Sequence, residues 1–357
     1  MHRFFGIVLF SFTLADTTQC QALTTAPTSL DSAQKKLLSK MTAEWKAYFR
    51  SISTLDMQWQ SSGYPLGPDN RQTYKYHFLR EPHRNRLNTR YYSQKLTPRS
   101  IRYSVVLGEG GATKTMHVAR TGQSRLFAPY FVGQRSPYGI YLPVLAVFGW
   151  ATDSESMLTL EEFSRDEFWL RFERRVKSIE AGSWRKRRGW WLTATAQLKD
   201  DNLNERTVRF FVEGTTFFPF LTLGRIHFKS KESVTDGAYE VRVTKTQAWV
   251  VNGKTRLLPL DTITGGWRHN LTTNKWTSGT DRHKALAPIK INGDIASTKW
   301  KLTIPDKTLV TYALRPYSKT KGEDLRTFHY DPQGGSLWAQ QEKERQRAAS
   351  GSTKPPS

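Results

Sequence analysis

Beyond residue 74 the chain is written largely in period-two segments, which restricts it to folds built on an antiparallel sheet. YKYHFL (74–79) alternates apolar with polar side chains, YYSQKL (91–96) and IRYSVVLGEG (101–110) read as further strands, and TKTMHVAR (113–120) follows a glycine turn. GWWLTATAQLKDD (189–201) alternates as well, and RTVRFFVEG (206–214), FLTLGRIHFKS (220–230), YEVRVTKTQAWVV (239–251) and TRLLPLD (255–261) continue in this mode. Successive side chains of a strand point to opposite faces, so each run offers one face to a core. Trp190, Leu192, Ala194, Ala196 and Leu198 form one such row. FWLRFERRV (168–176) reads the same way, with Phe168, Leu170, Phe172 and Val176 inward and Trp169, Arg171, Glu173 and Arg175 outward. WKLTIPD (300–306) reads as the last strand. Turn-rich GYPLGPDN, the glycines at 108, 110 and 111, and Asp200-Asp201-Asn202 punctuate the series.

One earlier segment has a different period. Leu37, Leu38, Met41, Trp45, Tyr48, Phe49 and Ile52 recur at spacings of three and four, which predicts an amphipathic helix over 31–52. Asp31 or Ser32 supplies its N-cap. So broad an apolar face needs a partner, and a sheet provides one. MLTLEEF (157–163) is expected to form a short helical piece, and the proline-bearing stretch 126–150 loops or short helices.

The chain opens with His2 and Arg3, then an apolar stretch from Phe4 to Ala15. That is the length of a secretory leader, shorter than a membrane span. The expected organisation is a signal peptide over 1–22, a flexible start over 23–30, a β-rich domain over 31–335, and a polar tail over 336–357. The tail is expected to hold a short helix at 337–348 and then disorder. The implied address is periplasmic or secreted. Cys20 is the only cysteine, which excludes an intramolecular disulfide. The Thr17-Thr18-Gln19 before it is unlike a lipid-attachment box.

With 54 lysines and arginines against 31 acids, the formal charge is +23. Such a field speeds encounter with anionic lipid, acidic polysaccharide or nucleic acid without choosing among them. Export argues against nucleic acid. The densest basic element is SWRKRRGWW (183–191), where Arg185, Lys186, Arg187 and Arg188 stand between Trp184 and the pair Trp190-Trp191. It falls at a reversal between two strands. Basic stems cover apolar surface while their heads stay wet, and tryptophan suits a boundary that is part apolar and part hydrated. These seven residues are the candidate contact with an anionic headgroup; the bland reading is a solvated hairpin edge.

Three stretches carry a family resemblance: LLSKMTAEWKAYFRSISTLDMQWQ (37–60), VTKTQAWVVNGKTRLLPLDTI (243–263) and WKLTIPDKTLVTY (300–312). Together they resemble the LolA/LppX-like exported bacterial proteins, nearest to large secreted planctomycete-type members. The third stretch departs from the group at Lys307, where glycine is common. Lysine takes a positive φ only at a cost, so the turn there is expected to differ locally. The resemblance covers roughly residues 31–315 and carries no catalytic residue. It implies a strongly curved antiparallel sheet, nearly a half-barrel, with an N-terminal helix and short helices on its concave face. That concavity would receive an acyl chain, each buried methylene being worth roughly 0.8 kcal/mol. Trp45, Phe49 and Trp59 would line the helix side, and Phe168, Phe172, Trp190, Phe210, Phe218 and Phe220 the sheet side. An ordinary filled core explains the same residues.

Catalytic signals are poor. The neighbouring acids Glu161-Glu162, Asp166-Glu167 and Asp200-Asp201 would face opposite ways on a strand. No His pair has metal-ligand spacing, and no GxSxG elbow or phosphate loop is present. No cofactor and no metal are expected. Three functions fit these residues: an exported envelope-associated binding protein for a lipid or lipoprotein acyl chain, a structural or interaction protein with a closed core, and, less well, a polysaccharide-active enzyme. The chain is read as a non-enzyme.

Overall fold

The computed structural model describes residues 30–63, 72–82, 84–93, 101–109, 112–119, 123–127, 147–148, 160–199, 203–229, 234–301, 303–313 and 325–350. The expected leader, Cys20, most of 126–165 and the end of the tail lie outside them.

Helix α1 (Ser32–Arg50) begins where the cap was expected. Asp31 accepts from the Gln34 amide at 2.8 Å, and the Gln34 side chain accepts from the Asp31 amide at 3.0 Å. This reciprocal box satisfies two of the amides that a helix start leaves unpaired, worth about 1 kcal/mol. The α1 residues Leu38, Met41, Trp45, Tyr48 and Phe49 are buried.

Strands make up 54% of the structure, in one open sheet. The chain lays down β1 (Leu55–Gly63), β2 (Gln72–Glu81), β3 (Arg84–Ser93), β4 (Ile101–Glu109), β5 (Ala112–Ala119) and β6 (Ser124–Phe127) as an antiparallel meander. Two helices follow, α2 (Leu160–Phe163) and α3 (Asp166–Glu173). A second meander comprises β7 (Val176–Trp184), β8 (Arg187–Lys199), β9 (Leu203–Glu213), β10 (Pro219–Lys229), β11 (Val234–Val251), β12 (Lys254–Asn270) and β13 (Lys275–Ala285). The two halves join through β1, which pairs with β2 on one side and with β13 on the other. Of the last strands, β14 (Lys290–Ile291) pairs with β1, β15 (Leu309–Ala313) runs parallel to β6, and β16 (Leu325–His329) forms the edge beyond β15. The sheet is thus antiparallel apart from the β6–β15 pair and is not closed into a barrel. A further helix, α4 (Leu337–Ala349), follows, capped by Ser336.

Two expectations are corrected. FWLRFERRV is not a strand: residues 166–173 form α3, which buries Phe168, Trp169 and Phe172 and leaves Leu170 52% exposed. The segment satisfies both periods, and the aromatic partners decide between them. Trp169 packs at 5.3 Å from Trp45 and its indole donates to the Phe163 carbonyl. A strand would have turned Trp169 to water and lost both contacts. WKLTIPD is not a strand either: Ser297–Trp300 is a 3-10 turn, and pairing resumes only at Leu309. Pro305 has no amide to give a ladder. The turn that follows keeps the left-handed conformation at Lys307 (φ 55°) despite the missing glycine. The Lys307 amide is held by Asp306 at 2.8 Å and by the Tyr330 carbonyl at 2.9 Å.

Polar contacts pin α1 onto the sheet. Gln34 donates to the Ile179 carbonyl at 2.9 Å and Tyr48 to the Leu257 carbonyl at 3.0 Å. Glu44 pairs with Lys254 and with Arg256, the latter at 3.0 Å. Burial pushes the Glu44 carboxyl up, but its two cations outweigh that and hold it below its usual 4.5. Asp56 behaves alike: burial raises it, while Lys299 at 2.7 Å and His77 at 2.8 Å bring it below 3.8. A depressed carboxyl stabilises the fold above its unfolded pKa and loses that contribution as pH falls through the folded value. The contributions of Glu44 and Asp56 to the denaturant midpoint are therefore expected to be lost as pH falls below about 4.5. The Asp56→Asn variant should show a shallower acid decline than the parent. An equally steep decline would show that Asp56 does not contribute.

Candidate functional site

The basic segment closes the β7–β8 hairpin. Trp184 pairs with Arg187, so the loop is just Arg185 and Lys186, with φ of 46° and 66°. A two-residue hairpin whose central residues both have positive φ normally takes Asn-Gly or a similar pair. The β11–β12 hairpin, at the same end of the sheet, does so with Asn252 (φ 50°) and Gly253 (φ 70°). Left-handed backbone costs a side-chain-bearing residue about 1–2 kcal/mol. Local folding preference therefore does not explain two long cations at this tip.

Strand alternation and register sort the remaining residues. Trp184, Arg187 and Trp191 share one face with Phe211; Arg188, Trp190 and Leu192 share the other. On the first face the Trp191 ring lies over Gly182, where an added Cβ would stand 2.7 Å from the indole. Trp184 sits 6.2 Å from the Phe211 ring and 6.4 Å from that of Phe220. Arg185 rides over the Trp184 ring at 4.9 Å and Arg187 over Phe220 at 4.0 Å. On the opposite face Trp190 packs at 5.6 Å from Phe217. Trp191 is buried, whereas Trp184 and Trp190 are half-buried. Arg185, Lys186, Arg187 and Arg188 are all exposed. None of the four has a carboxylate partner among the described residues. Two of them are oriented by ring faces, with their charge left to solvent.

The residues expected to line an apolar cavity are brought together elsewhere. Trp45, Phe49, Phe168, Phe172 and Phe210 join Phe148, Phe163 and Trp169 in one continuous aromatic cluster between the helices and the sheet. Phe220 occupies a bulge in β10, where Pro219 and Leu221 take consecutive partners on β9, and packs on Phe218 at 5.0 Å. Trp59 stacks on Tyr76 at 4.8 Å. Eight of the nine expected side chains are buried; Trp190 is half-buried. Beside them a cleft of about 230 Å³, partly open to solvent, is lined by Trp45, Tyr48, Phe148, Thr216, Phe217, Phe218, Arg256 and Leu257. That volume includes open solvent: the space able to hold water is about 10 Å³, about one molecule's worth. The rings fill the space they line.

The acids do not assemble a reacting pair among the described residues. Asp166 is engaged by Lys46 and Arg50, and Asp200 and Asp201 lie outside the described residues. Ser61, Asp281 and His283 approach one another on the helix-facing side of β1 and β13. However, the carboxylate stands between the other two, 2.6 Å from Ser61 and 3.5 Å from His283. A histidine activating a serine must touch it directly. Burial lowers the His283 pKa against the opposing pull of Asp281.

Sequence reasoning passed over one feature. In GWRHNLTTNKW (266–276) two tryptophans flank a polar turn, and the structure stacks Trp276 on His269 with ring centres 3.9 Å apart. Trp267 and His269 are two apart on one strand, a parity from which a shared face could have been read.

The fold and site define a mainly antiparallel open sheet with helices on one face and a cationic hairpin at one end. No family model matches this chain, and no curated protein does. Among solved structures, similarity is found to a domain assigned to an outer membrane lipoprotein-sorting protein from Vibrio parahaemolyticus. The identity is 6%, covering 75% of this chain and 96% of that one, with a TM-score of 0.36. A DUF1329 family protein from Desulfovibrio piger is similar at 7% identity over 78% of this chain and 98% of that one, with a TM-score of 0.38. At this distance neither passes a residue role to this chain.

Proposed function

We propose that this chain is an exported, envelope-associated binding protein of the LolA/LppX-like, planctomycete-type kind. Its ligand is the anionic headgroup of a lipid, engaged by the tip of the β7–β8 hairpin. The observation that carries this reading is the tip itself: four exposed cations without a described carboxylate partner, two of them on a left-handed turn that favours other residues. Trp184 and Trp190 flank them, half-buried, as suits a headgroup boundary. Sequestration of a whole acyl chain is the finer version of the same function. It requires α1 and α3 to move off the sheet, because the described concave side is occupied by rings.

Each lysine or arginine near an anionic bilayer contributes about 1 kcal/mol. Arg187 and Arg188 point to opposite faces, so only part of the cluster meets one surface. The variant with all four cations changed to glutamine is therefore expected to bind phosphatidylglycerol vesicles about 30-fold more weakly at low salt, an effect of about 2 kcal/mol. Co-sedimentation measures it, and the difference should shrink as salt is raised. Unchanged binding at low salt would remove the assignment and leave a closed-core structural protein as the better reading. A stoichiometric lipid in native mass spectra of the purified protein would favour sequestration instead.

A further inference from the structure

We infer that the far end of the β12–β13 hairpin is a second lipid-contacting element, which inserts into the headgroup–acyl boundary of a bilayer. The inference shares the lipid-binding reading above but rests on different residues at the other end of the sheet. Six large hydrophobic side chains are exposed among the described residues, and three of them are here: Trp267 (40%), Leu271 (45%) and Trp276 (62%). The hairpin holds them rigidly, with His269 opposite Trp276 and Trp267 opposite Ser278. Trp276 is stacked on His269 at 3.9 Å and 11°, and Trp267 leans on it at 5.3 Å and 43°. By alternation the rings stand on the face away from Thr262, and so away from the helices.

The surrounding charge selects the partner. Arg225 is exposed on the face that carries the rings, and Arg268 and Lys275 are exposed on the opposite face of the same hairpin end; none has a carboxylate partner among the described residues. The acid in this row, Asp236, is held by His227 at 2.5 Å. A second copy of the chain would bring cation against cation. A polysaccharide would stack on open ring faces, and His269 already covers one face of Trp276. Tryptophans on one face of a hairpin end that carries cations on both faces, with a leucine at the turn, match the boundary of an anionic bilayer: indoles at the interface, cations on phosphates, Leu271 deepest.

Cys20 is the sole cysteine, so Cys20→Ser with Leu271→Cys allows one environment-sensitive fluorophore to be placed at the turn. With phosphatidylglycerol-containing vesicles the label is expected to shift to the blue and to be quenched by lipids carrying a quencher on the acyl chain. Both signals should persist when Arg185, Lys186, Arg187 and Arg188 are glutamine, provided enough lipid is added to keep the protein bound. Joint Trp267→Ala and Trp276→Ala substitution should lower partitioning about tenfold, the worth of withdrawing two half-exposed indoles from an apolar boundary. Both sites are exposed, and an unchanged thermal midpoint confirms that the fold is intact. A label that stays in water while the protein co-sediments would overturn this inference and leave the headgroup site standing. A blue-shifted, quenched label in a protein indifferent to the four glutamines would do the reverse. Absence of both binding and shift would overturn both.

Discussion

Replacing Trp45 with alanine is expected to cost about 3–5 kcal/mol of folding stability, read as a fall in the denaturant midpoint. The size follows from its position. Trp45 is buried and lies within ring contact of Phe148, Trp169, Phe172 and Phe210, so it joins α1 to α3 and to the second meander at once. Its indole N–H also donates to the Phe217 carbonyl, which the substitution would leave without that donor. Trp45→Phe should cost less, because it keeps most ring contacts and loses mainly the donor and some volume. A change below about 1 kcal/mol for the alanine variant would mean that the cluster is not the packed core described here.

The second large effect is electrostatic. Glu44→Ala is expected to cost about 3 kcal/mol, because it leaves the nearly buried Arg256 guanidinium without its carboxylate, 3.0 Å away. The penalty belongs mostly to the stranded charge rather than to the lost attraction. Adding Arg256→Met to Glu44→Ala should therefore recover most of the stability, since apolar replacement of a whole buried pair is often close to neutral. A double variant as unstable as the single one would assign the loss to packing.

Much of this arrangement was legible in the sequence, and the exceptions share a cause. The three-and-four spacing from Leu37 to Ile52 can be satisfied only by a helix, and Asp31 marks its start. The reversal near 185–186 is read from the alternating run at 189–199 on one side and from 168–176 on the other, but the latter is α3, and the sequence reading misses β7, the strand that enters the turn. By contrast, Phe168-Trp169-Leu170-Arg171-Phe172 meets both periods. Only the rings of Trp45 and Phe163, distant in sequence or outside the segment, make it a helix. The pairing of β1 with β13 and the parallel β6–β15 contact carry no local signal at all. At the candidate site, sequence revealed the charge and the turn. It did not reveal that the expected cavity residues fill their own space, or that Trp267 and Trp276 meet across a ladder.

The place of β1 at the centre of the sheet fixes an order of assembly. Trp59 opposes Tyr76, synthesised soon after it, and Ala285, synthesised far later. Until β13 arrives, the emerging N-terminal half carries β1 as an unsealed edge, and α1 waits for Phe172 and Phe210 to cover its rings. Contacts so far apart in sequence form slowly, and an open edge recruits strands from other chains. A chain interrupted before residue 275 would keep that edge permanently, so the integrity of this protein depends on its C-terminal half reaching the first strand before a neighbouring molecule does.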